Sequence, residues 1–205
     1  MAPRVLLVHG LWMHAPALAY WARGLRRAGF RPVLFSYRSL LQAPETAMAR
    51  LRAVALAVPD THILAHSLGG LVSVKALAGT GFRGRIVCVG SPLAGSRAAR
   101  VLASRHLGRL AGRSLPLLCE GLPAVPAGLD VSAIAGTMAR GLGRLLLRFD
   151  EPGDGTVAVS ETRIPGLSRH VTVAASHSGQ LFSPATVEAA VALLAGAPQG
   201  CGKGL

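Results

Sequence analysis

Residues 61–70 read T-H-I-L-A-H-S-L-G-G, an apolar run that meets a serine and then two glycines. A strand ending in Ala-x-Ser-x-Gly and continuing as a helix is the pattern of a nucleophile elbow, here with Ala65 where a first glycine is usual. Such a turn holds the serine under strain so that its hydroxyl projects above a sheet. Ala65 and Gly69 flank Ser67 where bulky side chains would collide with the neighbouring strand and helix. The helix that follows presents N-terminal amides to developing negative charge. The plain alternative is a strand-to-helix turn in which Ser67 only caps the helix. The chemistry open to an exposed serine of this kind is nucleophilic acyl transfer.

A serine nucleophile needs a base, and the base needs an orienting acid. Of seven histidines, His177 is the best placed, in V-T-V-A-A-S-H-S-G after the last apolar run. His66 adjoins the serine, so its side chain is expected to pack or hydrogen-bond behind the elbow, while His62, His106 and His170 lie in no motif. Between Ser67 and His177 the acids are Glu120, Asp130, Asp150, Glu151, Asp154 and Glu161. Asp154 is preferred because P-G-D-G-T-V is a glycine-flanked turn that permits close approach to an imidazole. Asp150 is the reserve. Acyl transfer also needs two donors for an oxyanion. The amide of Leu68, next to the nucleophile, is one candidate, and the amide of Leu11, after the His9-Gly10 turn, is the other. Leu11, Trp12, Met13, Leu181 and Phe182 are candidates for an acyl pocket or, with equal weight, for core.

Elements must hold these residues together. Apolar runs of strand length at 4–9, 32–37, 61–65, 85–89, 131–135 and 170–174 alternate with longer stretches of helical character at 15–28, 44–57, from the elbow to about Ala78, 96–110 and 185–194. Strands alternating with helices predict a parallel sheet with crossover helices. Four of the strands read as unbroken apolar runs, so the sheet is expected to be buried on both faces. The expected fold class is α/β, a central, mostly parallel sheet of about six strands with helices on both faces. In such sheets chemistry sits at the carboxyl ends of the strands. Section 92–128 is less regular, with Pro-rich segments after its Arg-rich helix, and is the only candidate for cap material. A single domain over 1–198 and a loose tail over 199–205 complete the organisation.

The 205 residues suffice for one core, half of them are apolar and 15% are charged, which excludes a disordered chain. No apolar run reaches the length of a membrane span, and no signal peptide is legible at the N-terminus, so a cytoplasmic location is expected. Cys88, Cys119 and Cys201 are too few and too irregular for a disulfide framework or a zinc site. The net charge is +13, and it is uneven. Residues 1–119 carry 16 Lys and Arg against Glu45 and Asp60 alone, whereas 120–205 carry 6 against 7. An anionic membrane surface, met through the Arg-rich segment 97–113, is the partner such asymmetry fits. An arginine-favouring composition (20 of 22 basic residues are Arg) is the bland explanation. Nucleic acid is disfavoured because the arginines are not interleaved with aromatics. The sequence does not specify an oligomeric state.

The segments V-L-L-V-H-G-L-W, A-H-S-L-G-G, V-G-S-P-L-A-G-S, G-D-G-T-V and S-H-S-G-Q-L-F together resemble the α/β-hydrolase superfamily over nearly the whole chain. The chain looks most like small bacterial lipases and esterases. A-H-S-x-G-G is similar to the compact Bacillus-type lipases, and G-D-G-T-V with V-G-S-P to the lipase-like branch that includes GPI-inositol deacylases. The resemblance implies Ser67, Asp154 and His177 as nucleophile, acid and base, Leu11 and Leu68 as oxyanion donors, a minimal cap, and cleavage of a small-molecule or lipid ester with no metal or organic cofactor. An acyltransferase or thioesterase would use the same residues. A non-catalytic binding protein on the same fold is the alternative of another class.

Overall fold

In a computed structural model, residues 2–139 and 151–196 are described. Among these residues six strands form one sheet: β1 Arg4–Val8, β2 Arg31–Phe35, β3 Thr61–His66, β4 Arg85–Val89, β5 Asp130–Gly136 and β6 Arg169–Val173. Their order is β2-β1-β3-β4-β5-β6, and every pairing is parallel. The expected six-stranded parallel sheet is therefore present, with strand ends displaced by one or two residues; β2 stops at Phe35, which leaves Tyr37 beyond it. The unbroken apolar runs become β1, β3, β4 and β5, which are almost wholly buried, whereas β2 and β6 are partly exposed edges. Pro32 sits in an edge strand, where a missing N–H costs no ladder bond. Strand order reverses between β1 and β3, and in open α/β sheets ligands bind beyond the carboxyl ends of the strands at such a point.

Helices cover both faces. On one side α1 (Ala19–Arg27) and the last helix, α6 (Pro184–Ala195), bury Trp21, Leu25 and Leu193 against Leu7, Val87 and Ile134 of the sheet. On the other, α2 (Pro44–Leu56) and α3 (Leu68–Leu77) bury Leu51 and Leu71 against Leu6, Ile63 and Ile86. The helix expected over 15–28 begins instead as a 3₁₀ turn at Ala15–Leu18. It closes on Gly29, whose positive φ lets Phe30 N donate to Leu25 O at 3.0 Å and Gly29 N to Arg26 O at 3.1 Å, the pairing of a Schellman stop.

Section 92–128 is more ordered than its composition indicates. Helix α4 covers only Arg97–Ser104, because His106 takes the left-handed conformation (φ 57°) normally given to glycine. Leu107 N then donates to Leu102 O and His106 N to Ala103 O, so the helix stops well before residue 110. Two 3₁₀ turns, Gly108–Leu110 and Gly112–Ser114, lead into α5, Leu115–Glu120, a helix within the stretch expected to be irregular. Pro116 is compatible with it because it stands in the first turn, where N–H groups have no helical partner. No described helix is long and apolar enough to cross a membrane. Cys88 is fully buried, and burial pushes its thiol up to about 12, as suits a core residue.

Candidate functional site

Ser67 follows β3 directly and has φ 53° and ψ −123°, a conformation that costs a non-glycine residue about 1–3 kcal/mol. The surroundings impose it. Ser67 N donates to Val89 O at 2.9 Å, which ties the turn to β4, and Gly70 N donates to Ser67 O at 3.0 Å as α3 begins. Gly69 has to be glycine, since a Cβ there would lie 2.6 Å from His9 O and 2.7 Å from Val8 O. Ala65 is fully buried, in register with Val8 on one side and Cys88 on the other. The Ser67 side chain makes no capping hydrogen bond to α3. Its hydroxyl lies 3.2 Å from His177 Nε2 instead.

His177 stands on the loop after β6, and Asp154 on the turn between β5 and β6. The two loops are tied by His177 N donating to Asp154 O at 2.9 Å. Nδ1 of His177 donates to Asp154 Oδ2 at 2.7 Å, which leaves Nε2 to accept the Ser67 proton. The other carboxylate oxygen, Oδ1, accepts from the Thr156 and Val157 amides at 2.9 and 2.7 Å. Burial raises the pKa of Asp154, but the hydrogen bond and charge of His177 and those two amides outweigh it, so the carboxyl sits below its ordinary value. Gly90, at the end of β4 with φ 56°, leaves room for this group. A Cβ there would come 2.8 Å from Gln180 Nε2 and 3.2 Å from Asp154 Oδ2.

Two further residues bear on the site. Gln180 is fully buried and donates from Nε2 to Asp154 Oδ2 at 2.9 Å, the same oxygen that holds His177. Nothing in the local sequence S-H-S-G-Q-L-F marks this glutamine, because its partner lies 26 positions away. Gln180→Met removes that donor while keeping volume, and kcat on an activated ester is expected to fall about 10- to 100-fold, the value of a hydrogen bond to a charged group. Unchanged kcat would leave Gln180 a packing role only.

His66 lies behind the elbow, as its position next to the serine indicated. It is fully buried, with Nε2 donating to His177 O at 3.1 Å and its ring 4.8 Å from that of His177. Burial, reinforced by the charge of His177, depresses its pKa to about 3, and the hydrogen bond to His177 O only partly opposes this. An unfolded histidine binds a proton near pH 6.5, but folded His66 refuses it until about pH 3. Its contribution is therefore complete above pH 6.5 and is lost as pH falls toward 3, at up to about 1.4 kcal/mol per pH unit. The urea midpoint should drop between pH 7 and pH 4.5, and His66→Gln should lessen that drop; an equal drop in both proteins would contradict the assignment.

The loop after β1 faces the elbow. His9 is fully buried, stacked on Tyr37 with ring centroids 4.5 Å apart. Tyr37 N donates to His9 Nε2 at 3.3 Å, so Nδ1 carries the proton and donates to Gly10 O at 2.9 Å. Tyr37 Oη donates to His9 O at 3.0 Å. Across a trans peptide the C=O and the next N–H point in opposite directions. Anchoring Gly10 O on His9 therefore turns the Leu11 N–H to the other side. Neither the Leu11 nor the Leu68 amide donates to a protein acceptor among the described residues.

The remaining sequence candidates separate. Leu181 belongs to the buried core beside Trp21 and Leu193, and Met13 packs against it; Trp12 and Phe182 are exposed. Glu151 and Glu161 both hold Arg97. Asp130 pairs with Arg85 at 3.5 Å and Glu120 with Lys75 at 2.8 Å. Asp150 and the 199–205 tail, with Cys201, lie outside the described residues. His62 accepts from Arg85 N, and His170 bonds Thr162. Among the described residues, no group of three or more His, Cys, Asp or Glu is arranged to hold a metal.

No protein-family model matches the sequence, and no curated protein does. Solved structures do. The mature form of lipase BlEst2 from Bacillus licheniformis has a TM-score of 0.79 and 19% identity, over 94% of this chain and 92% of that one. A structure of carboxylesterases of the thaumarchaeon Nitrososphaera gargenis gives 0.61 and 15%, over 93% and 88%. An extracellular α/β-hydrolase from a Paenibacillus species gives 0.58 and 16%, over 92% and 97%. At these identities the likeness is one of fold.

Proposed function

Because the chain has the α/β-hydrolase fold, we propose that it is a serine hydrolase that cleaves carboxylic esters through an acyl-enzyme on Ser67. One observation carries this reading: an unbroken hydrogen-bonded line from Ser67 Oγ through His177 to Asp154 at the carboxyl ends of the strands. His177 Nε2 takes the hydroxyl proton as Oγ attacks the ester carbonyl. Asp154 holds the imidazole in the accepting tautomer and stabilises the imidazolium. The amides of Leu11 and Leu68 bind the tetrahedral oxyanion, and both are free of protein acceptors among the described residues. The alcohol leaves with the proton from His177. Water then repeats the sequence and frees the acid.

The lipases and esterases among the structural relatives support an ester as substrate. A series of p-nitrophenyl esters of increasing acyl length should show a burst equal to the enzyme concentration, followed by steady turnover. No turnover on any member of the series would count against ester hydrolysis.

A further inference from the structure

The three exposed aromatic side chains among the described residues, Trp12, Tyr20 and Phe182, all belong to segments that bound the candidate site. Trp12 stands two residues beyond Gly10, is 60% exposed, and has φ 56°. Phe182, 62% exposed, follows His177 by one short turn, and its ring lies 6.4 Å from that of Tyr20. Trp12 Nε1 donates to Leu110 O at 2.7 Å, which sets the indole beside the exposed Leu107 and Leu110. The chain 39–41 is stitched to the same turns, with Arg113 N donating to Leu40 O and Ser114 Oγ to Ser39 O. Leu41, 73% exposed, is carried there. By contrast, the exposed Leu56 and Val58 precede β3 and so lie at the opposite, amino end of the sheet.

Charge accompanies this apolar rim. Arg38, Arg105, Arg109 and Arg113 are exposed, and none takes part in an ion pair among the described residues. No Asp or Glu occurs between Asp60 and Glu120. A protein partner would have to be both apolar and acidic, and a nucleic acid offers nothing to the exposed leucines. A bilayer with anionic headgroups meets both demands at once: amphipathic aromatics settle at the headgroup level, and arginines lie over anionic lipid. We infer that the rim formed by Trp12, Leu41, Leu107 and Leu110 with the surrounding arginines docks on an anionic lipid surface, with the carboxyl ends of the strands, where Ser67 stands, toward the membrane. This goes beyond the ester chemistry and does not depend on it.

Vesicle co-sedimentation tests it. The protein should bind phosphatidylcholine vesicles containing about a third phosphatidylglycerol, bind pure phosphatidylcholine far less, and release as salt is raised. Arg105→Gln with Arg109→Gln should weaken binding about 25-fold, near fivefold per arginine, with turnover of a short soluble ester unchanged. Leu41→Asp should also weaken binding. Ser67→Ala should bind as the parent does, so that docking is read separately from catalysis. Equal binding to neutral and anionic vesicles, an undiminished arginine variant, or preference for duplex DNA over the vesicles would overturn the inference.

Discussion

Ser67→Ala is expected to lower kcat on an activated ester by about a million-fold, the scale seen when a serine nucleophile is deleted. The change is small in every other respect. Among the described residues the hydroxyl has one hydrogen-bond partner, His177 Nε2, and it does not cap α3. Alanine inherits the same backbone ties to Val89 O and Gly70 N, and the same strain at φ 53°. Folding should therefore be intact, with a circular dichroism spectrum and urea midpoint close to those of the parent. A variant that folds normally and still turns over at the parental rate would remove the nucleophile from the proposed mechanism.

Asp154→Asn is expected to cost about 10⁴ in kcat. Oδ2 accepts from His177 Nδ1 and Gln180 Nε2, and Oδ1 from the Thr156 and Val157 amides, so the carboxylate meets donors on every side. An asparagine must point its NH₂ at one pair or the other. Toward Oδ1's partners, it faces two backbone N–H groups. Toward Oδ2's, it forces His177 to accept at Nδ1, which puts the proton on Nε2 and leaves nothing to take the Ser67 proton. The first orientation sets donor against donor at the backbone amides and the second sets it against Gln180 Nε2, so stability should fall by about 1–3 kcal/mol as well. Measuring kcat and the urea midpoint together separates this from a passive turn residue, for which kcat would be unchanged. An unaltered kcat would also turn attention to Asp150.

The fold was legible because buried parallel strands have little freedom in composition. Runs such as R-V-L-L-V and R-I-V-C-V admit few readings, and they became β1 and β4. Ser67 and His177, which the fold brings within 3.2 Å, could be singled out because an elbow and a histidine after the last strand are local patterns. Gln180 and the His9–Tyr37 stack were missed for the opposite reason. Their partners are 26 and 28 positions away, and only the sheet brings them together. Helix α4 ended early because His106 adopts a conformation that sequence assigns to glycine, and α5 was hidden by Pro116, which reads as a breaker although it stands in the first turn. Leu181 illustrates a further limit: an apolar residue near a site looks the same in sequence whether it lines an opening or, as here, fills the core.

The central claim, that Ser67 is the activated nucleophile, is tested most directly by a fluorophosphonate probe followed by peptide mass mapping. One equivalent of label on the peptide containing Ser67, absent from Ser67→Ala and strongly slowed in Asp154→Asn, is the predicted result. Folded protein that takes up no label, or label carried on another residue, would contradict it.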